Sequence, residues 1–139
     1  IQALKENNIE LDTDLIIKKK KKKSTEEELH NIEERINEVL KLKSNIDGIF
    51  AVNEIYAASA LKVLKKNNIK IPEEVGVIGF TDGVISRFSD QSLTTVDQHG
   101  EKIGKQACKL LIERLNNTNN IPYQTKIIET SITSRESSK

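Results

Sequence analysis

The segment that decides the fold is Val75-Gly76-Val77-Ile78-Gly79-Phe80, which Thr81-Asp82 follow directly. No polar residue interrupts it, so both faces of the predicted strand are apolar, as is typical of strands buried in a parallel sheet. A second segment of the same kind, Ile49-Phe50-Ala51-Val52, comes earlier in the chain. The two segments predict an α/β fold with a mainly parallel sheet.

Three stretches have the apolar spacing of amphipathic helices. The first runs from Thr25 to about Lys43 and begins with Ser-Thr-Glu-Glu-Glu, which contains a capping box. The other two are Glu54–Lys66 and Gly100–Asn117. Helices of this length between strands predict right-handed crossovers.

Shorter segments complete the predicted secondary structure. Leu15-Ile16-Ile17 and Leu93–Val96 are predicted strands, and Thr125–Ile132 alternates well enough for a final strand. Thr81–Ser92 is predicted to be a polar, irregular loop. Ile1–Ile9 has the pattern of the second half of a helix, so we expect the chain to be part of a longer one.

The composition excludes several classes of protein. Lys and Arg number 22 against 21 Asp and Glu, so the formal charge of +1 gives no global argument for binding nucleic acid or membrane. The single cysteine, Cys108, excludes a disulfide framework and a cysteine-built zinc site. The two histidines, His30 and His99, are too few for a His-rich metal centre. We therefore expect no metal and no cofactor.

No enzyme signature is present either. The chain has no G-x-S-x-G elbow, no G-x-x-x-x-G-K-[ST] loop and no H-E-x-x-H helix. The glycines of Gly76–Gly79 fall inside a strand, whereas a phosphate-binding glycine loop follows one. Cys108 lies on the apolar side of the third predicted helix, and we predict a buried, inert thiol. The expectation is a protein that is not an enzyme.

Six consecutive lysines, Lys18–Lys23, form the one low-complexity segment. They could bind phosphate groups, but the acidic residues that follow from Glu26 onward would screen them, and no aromatic residues are interleaved. The run is predicted to be a solvated strand end or loop.

Polar residues follow the predicted strands at the point where each strand ends. Asn53 follows the strand Ile49–Val52, Thr81 and Asp82 follow Val75–Phe80, and Asp97 and Gln98 follow Leu93–Val96. Ligands of open parallel sheets bind outside the carboxyl ends of the strands, so these groups predict a site for a polyhydroxylated small molecule. The alternative is a structural role, with Asn53 capping a helix and Asp82 starting a turn.

Five phrases, in this order and spacing, carry a resemblance to a known family. They are Ala51-Val52-Asn53-Glu54, Ile71-Pro72-Glu73-Glu74-Val75, Val77-Ile78-Gly79-Phe80-Thr81-Asp82, Leu93-Thr94-Thr95-Val96-Asp97-Gln98 and Ser134-Arg135-Glu136-Ser137-Ser138. Together they resemble the effector-binding region of LacI/GalR-family transcriptional regulators, whose core is similar to type 1 periplasmic sugar-binding proteins. The resemblance extends from Ile1 to Ser138.

The resemblance implies an α/β fold of the periplasmic-binding-protein-like type 1, a three-layer α/β/α sandwich with a mainly parallel sheet. Residues 1–99 would form the C-terminal subdomain of the effector-binding domain. Residues 100–120 would be a helix that belongs to the N-terminal subdomain, and residues 121–139 the terminal strand and tail. The helix-turn-helix headpiece would be absent from this chain.

The implied function is that of the effector-sensing and dimerising part of a cytoplasmic DNA-binding repressor. Its partners would be a small sugar or sugar derivative and operator DNA, reached through the headpiece, with no membrane involved. The ligand-binding positions carried over from the family are Asn53, Thr81 and Gln98, with Asp82 beside them. The surface implied for a homodimer consists of Tyr56, Ala57, Ala60, Leu61, Leu64 and Phe88.

Two alternatives stay open beside this interpretation. The first is a periplasmic sugar-binding protein of an ABC transporter, and the second is a sugar-processing enzyme of doubly wound fold. For the implied dimer surface, the alternative is that Leu61 and Phe88 are core residues.

Two departures from the family bear on the ligand. Thr81 stands where the family usually has a sugar-binding Asp, which puts simple hexose binding in doubt. A further family contact falls between about Lys20 and Ser24, within the lysine run. Lysines there favour, as a hypothesis, an anionic effector such as a sugar phosphate or a sugar acid.

Overall fold

The computed structural model describes residues 2–18, 24–43, 45–116 and 122–139. Four strands form one sheet in the order β1-β2-β3-β4. The strands are β1 Gly48–Ala51, β2 Gly76–Phe80, β3 Thr94–Asp97 and β4 Ser131–Thr133. The first three are parallel and β4 runs antiparallel to β3, so the sheet is mainly parallel, as predicted.

Within the described residues, five α-helices accompany the sheet. They are α1 Gln2–Glu6, α2 Thr25–Leu42, α3 Glu54–Lys66, α4 Val84–Phe88 and α5 Gly100–Asn116. The predicted start of α2 is confirmed, since the Ser24 hydroxyl accepts a hydrogen bond from the Glu27 N–H at 3.2 Å. The bounds of α3 are those predicted from its apolar spacing. Among the described residues, no helix is long and apolar enough to cross a bilayer.

The core lies between α3 and one face of the sheet. Ala57, Ala60 and Leu64 on α3 have no exposed surface, and Val77 on β2 has none either. Gly79 allows this close packing, because a Cβ at that position would meet the Ala57 Cβ at 3.2 Å. Helix α2 adds two further buried residues, Ile32 and Ile36.

The predicted strand at Leu15–Ile17 is wrong. Thr13–Leu15 form one turn of 3-10 helix, which the Asp12 side chain caps by accepting from the Asp14 N–H at 2.9 Å. Such a side-chain cap stabilises a turn in competition with extended backbone. The apolar character of the segment is used in another way, because Ile17 packs against the core.

Two other boundaries also differ from the prediction. The final strand is Ser131–Thr133, which pairs with Thr95 to Asp97 of β3 and overlaps the predicted Thr125–Ile132 only at Ser131 and Ile132. The predicted irregular loop at Thr81–Ser92 contains the helix α4, which was not predicted. Local capping does not explain α4, since Gly83 at its start has no side chain to cap it.

Helix α5 has 17 residues, and none of them is buried. Cys108 is exposed, so the prediction of a buried thiol is wrong. The amphipathic pattern itself is present, and residues 122–128 lie beside part of it. There the Arg114 guanidinium stands over the Tyr123 ring, 4.4 Å from the ring centre.

The C-terminal segment enters the sheet between the starts of β2 and β3. The Ser137 carbonyl accepts from the Val77 N–H at 2.6 Å, and the Ser137 hydroxyl donates to the Val77 carbonyl at 2.6 Å. The same hydroxyl accepts from the Thr94 N–H at 2.8 Å. Ser137 is fully buried. Its hydrogen bonds satisfy backbone groups of β2 and β3 at a point where the two strands do not bond to each other.

Substituting Ser137→Ala is expected to lower the free energy of unfolding by roughly 2 kcal/mol, because a buried carbonyl and a buried N–H lose their partner. Urea unfolding followed by circular dichroism measures the change. Ser134→Ala is the matched control, since Ser134 is exposed and its substitution should change stability by less than about 0.5 kcal/mol. Equal effects of the two substitutions would contradict the bridging role of Ser137.

Candidate functional site

A cleft of about 480 Å³ opens at the carboxyl ends of β2 and β3. Its position is the one predicted for a ligand of an open parallel sheet. The residues that line it come from the end of β2, α4, the end of β3 and the start of α5: Thr81, Asp82, Arg87, Asp97, Gln98, His99, Gly100, Glu101, Lys102 and Ile103. Three of the four predicted ligand-binding residues are among them.

Thr81 and Gln98 form a hydrogen-bonded pair in this cleft. The Gln98 Nε2 donates to the Thr81 Oγ1 at 2.8 Å. Thr81 has a φ of 81°, which a β-branched residue rarely adopts and which costs roughly 1–3 kcal/mol. The strained backbone is held on β3, where the Thr81 N–H donates to the Val96 carbonyl at 3.0 Å.

Asp82 is engaged by the chain itself. Its Oδ1 lies 2.7 Å from the Arg135 Nη1 and accepts from the Thr95 hydroxyl at 2.8 Å, while its Oδ2 accepts from the Arg87 Nη2 at 3.0 Å. The hydrogen bond from Arg135 is the largest cause that lowers the Asp82 pKa to about 2, against the opposing effect of burial. In the structure Asp82 forms an ion pair with Arg135. A role for Asp82 in binding a ligand stays a prediction.

Arg135 is the residue of this site that the sequence analysis missed as a functional group. It also donates from Nη1 to the Leu93 carbonyl at 2.7 Å, so its side chain runs from the start of β3 to the end of β2. Only the resemblance pointed to the segment around it. No local pattern links Arg135 to an aspartate 53 positions earlier.

Asn53 caps helix α3, as the structural alternative predicted. Its Oδ1 accepts from the Tyr56 N–H at 2.8 Å, and it is half-buried at the N-terminus of α3. It does not line the cleft described above. Its part in ligand binding therefore stays a prediction.

Glu54, next to Asn53, fixes the loop that carries Thr81 and Asp82. Its Oε2 accepts from the Ser86 N–H at 3.1 Å and from the Ser86 hydroxyl at 3.0 Å. Gly83 is needed for this contact, because a Cβ there would lie 2.2 Å from the Glu54 Oε1. The carboxylate thus takes the place of a local cap for α4.

A second row of hydrogen bonds joins the end of β3 to the start of β4. The Asp97 Oδ1 accepts from the His99 N–H at 2.7 Å, and the Asp97 Oδ2 lies 3.0 Å from the His99 Nδ1. The His99 Nε2 is 3.1 Å from the Ser131 hydroxyl. Serine hydrolases use these three groups in this order, but Ser131 does not line the cleft. Here these hydrogen bonds link β3 to β4, the two strands that α5 connects along the chain.

The surface implied for a dimer is mostly inside the folded chain. Ala57, Ala60 and Leu64 have no exposed area, and Leu61 is 5% exposed. The expectation that these four residues form a displayed surface is wrong, because α3 uses them to cover the sheet. Tyr56 is half-buried and Phe88 is 82% exposed, so these two remain accessible.

Two of the predictions lie partly outside the described residues. The lysine run is described only at Lys18, so its proximity to a ligand stays a prediction. In the described ranges, no group of three or more His, Cys, Asp or Glu side chains could hold a metal ion.

Comparison with known proteins places the chain in a family. A family model described as "Periplasmic binding protein-like domain" matches residues 1–138. The chain belongs to this family. Within this periplasmic binding protein-like family, the chain is 30% identical over 136 residues to the HTH-type transcriptional regulator MalR of Clostridium butyricum, covering 98% of the chain and 38% of MalR.

The solved structures agree with this assignment. The cellobiose complex of the transcriptional regulator CelR matches 98% of the chain and 39% of that protein, with a TM-score of 0.81 and 25% identity. A putative LacI-family regulator from Sanguibacter keddieii matches 98% of the chain and 50% of that protein, with a TM-score of 0.83 and 28% identity. The predicted resemblance to LacI-type regulators and the predicted fold are confirmed. The chain spans about 40% of the length of MalR.

The ion pair at Asp82 predicts a specific loss of stability in acid. Because its pKa in the folded chain lies below the ordinary value of 3.8, the stabilisation is present above about pH 4 and is lost as the pH falls towards 2. The depression corresponds to roughly 2 kcal/mol. Urea unfolding at a series of pH values should show this loss for the natural chain and not for Asp82→Asn.

Asp90→Asn is the control for that series. Asp90 pairs with Lys65, but its side chain is 90% exposed, so water screens the pair and little acid dependence should come from it. An unchanged acid dependence in Asp82→Asn would show that Asp82 is not the group responsible.

Proposed function

We propose that this chain is the effector-sensing part of a LacI-type transcriptional regulator and binds a small sugar or sugar derivative in the cleft at the ends of β2 and β3. The observation that carries the proposal is the Thr81–Gln98 pair inside that cleft. Because Gln98 donates an N–H to the Thr81 hydroxyl, the amide oxygen of Gln98 remains an acceptor and the Thr81 hydroxyl remains a donor. Neighbouring hydroxyl groups of a sugar need that combination.

The relatives support both the ligand class and the regulatory role. CelR was solved with cellobiose, and MalR and CelR are named as HTH-type transcriptional regulators. This favours a regulator over the periplasmic component of a transporter, and a binding role over an enzymatic one. In the whole protein, effector binding would shift affinity for operator DNA by favouring one of two conformations. Such a regulator acts in the cytoplasm and contacts DNA through a helix-turn-helix headpiece.

The arrangement of subdomains is also part of the proposal. Residues 1–99 would be the C-terminal subdomain, and residues 100–120 a helix of the other subdomain. No residue of α5 is buried, which supports this division, because its apolar stripe is suited to packing against another structural unit. Residues 121–139 would return as the terminal strand and tail.

The sugar-binding cleft is tested with Thr81→Val and Gln98→Leu. Each substitution removes hydrogen-bonding groups from the cleft, so the affinity for cellobiose should fall about tenfold. Ligand-observed NMR is the suitable measurement, because it detects dissociation constants in the millimolar range.

Thr125→Val is the matched control, since Thr125 is exposed and lies outside the cleft. The proposal fails if the folded natural chain binds no sugar, or if the control loses as much affinity as the two cleft variants.

The homodimer implied by the family is proposed through α4 rather than through the buried face of α3. Phe88 is 82% exposed and Val84 is 72% exposed, and both lie on this short helix. Apolar side chains displayed close together are typical of protein interfaces.

Phe88→Ser should raise the dissociation constant of the dimer at least about tenfold, because an aromatic side chain of this size contributes strongly when it is buried at an interface. Analytical ultracentrifugation measures the change. Leu42→Ser is the control, since Leu42 is 78% exposed at the end of α2, away from α4. A chain that stays monomeric at all concentrations, or an equal effect of the control, would contradict the proposed surface.

A further inference from the structure

The acidic residues of the cleft are each engaged by groups of the chain. Asp82 lies 2.7 Å from the Arg135 guanidinium, and these two side chains are only 6% and 17% exposed. Asp97 accepts from the His99 N–H and lies beside its ring. Glu101 pairs with Lys105, one turn further along α5. Asp82 and Glu101 are therefore balanced by cations, whereas His99 balances the charge of Asp97 only when its ring is protonated.

The positive charges of the cleft are not balanced in the same way. Arg87 donates to Asp82 at 3.0 Å, but Arg135 already neutralises that carboxylate, so the group of three carries a net charge of +1. The Arg87 side chain is 60% exposed, which leaves most of its five N–H donors open to the cleft. Lys102 is exposed and has no acidic partner among the described residues.

These cations stand beside a neutral binding pair. Thr81 and Gln98 present a hydroxyl and an amide to the same cleft in which Arg87 and Lys102 present a guanidinium and an ammonium group. The first pair suits hydroxyl groups, and the second suits an oxyanion, which guanidinium groups bind with paired, charge-assisted hydrogen bonds. A single ligand that satisfies both pairs is a sugar with one anionic substituent.

We propose that the effector is a sugar phosphate or a sugar acid whose anionic group lies between Arg87 and Lys102. This inference rests on the proposed function of the cleft. It does not use the lysine run at residues 18–23, which suggested an anionic effector from the sequence alone.

The experiment compares four probes on the folded 139-residue chain by ligand-observed NMR: glucose, glucose 6-phosphate, glucuronate and inorganic phosphate. At low salt, at least one of the two anionic sugars should bind about tenfold more tightly than glucose. The preference should shrink as salt is added, because the cations are solvent-exposed. Which of the two binds more tightly distinguishes a phosphate from a carboxylate.

Two variants test the residues. Arg87→Gln and Lys102→Gln should each remove most of the preference for the anionic sugar. Lys109→Gln is the matched control, since it makes the same charge change on α5 but at a residue that does not line the cleft. Circular dichroism tests whether Arg87→Gln is folded, and Lys102→Gln gives an independent answer because Lys102 makes no ion pair in the described chain.

The outcomes separate this inference from the proposed function. Equal binding of glucose and both anionic sugars would overturn the inference and leave the sugar site intact. Equal binding of inorganic phosphate and glucose 6-phosphate would overturn it as well, because the cleft would then hold an adventitious ion only. A loss of the preference in Lys109→Gln would assign it to general charge and not to the cleft. Failure to bind any sugar would overturn both proposals.

Discussion

Arg135 and Ser137 lie two positions apart in the C-terminal segment, and together they connect the two ends of the central strands. Ser137 bridges the starts of β2 and β3, while the Arg135 side chain extends along β3 to the carboxylate of Asp82 at the end of β2. The Asp82 and Arg135 side chains are only 6% and 17% exposed, and charges so far removed from water are tolerated best as a hydrogen-bonded pair. The position of the cleft therefore depends on the tail.

The cleft is held in shape before any ligand arrives. Asp82 is fixed by its ion pair, and Glu54 holds the following loop through Ser86. Between these anchors, Thr81 keeps a backbone conformation that would relax if it were free. Strain of this kind is found at binding sites because the surrounding contacts maintain it. A site that is already ordered loses less conformational entropy when a ligand binds.

The same ion pair explains the charge of the cleft. Arg135 neutralises Asp82, so the charge of the more exposed Arg87 is left without a counterion on the solvent side. A structural interaction thereby makes the cleft cationic in spite of its three acidic residues. The sequence suggested an anionic effector for a different reason, namely the lysines that fall at a family contact between about Lys20 and Ser24.

The sequence by itself determined the mainly parallel sheet, the limits of α3 and the polar residues at the strand ends, because these depend on periodicity and on capping between near neighbours. Tertiary structure decided the rest. Glu54 capped α4 from 32 positions away. Arg135 reached Asp82 across 53 positions. No local pattern reports a contact that forms only when distant segments meet in the folded chain.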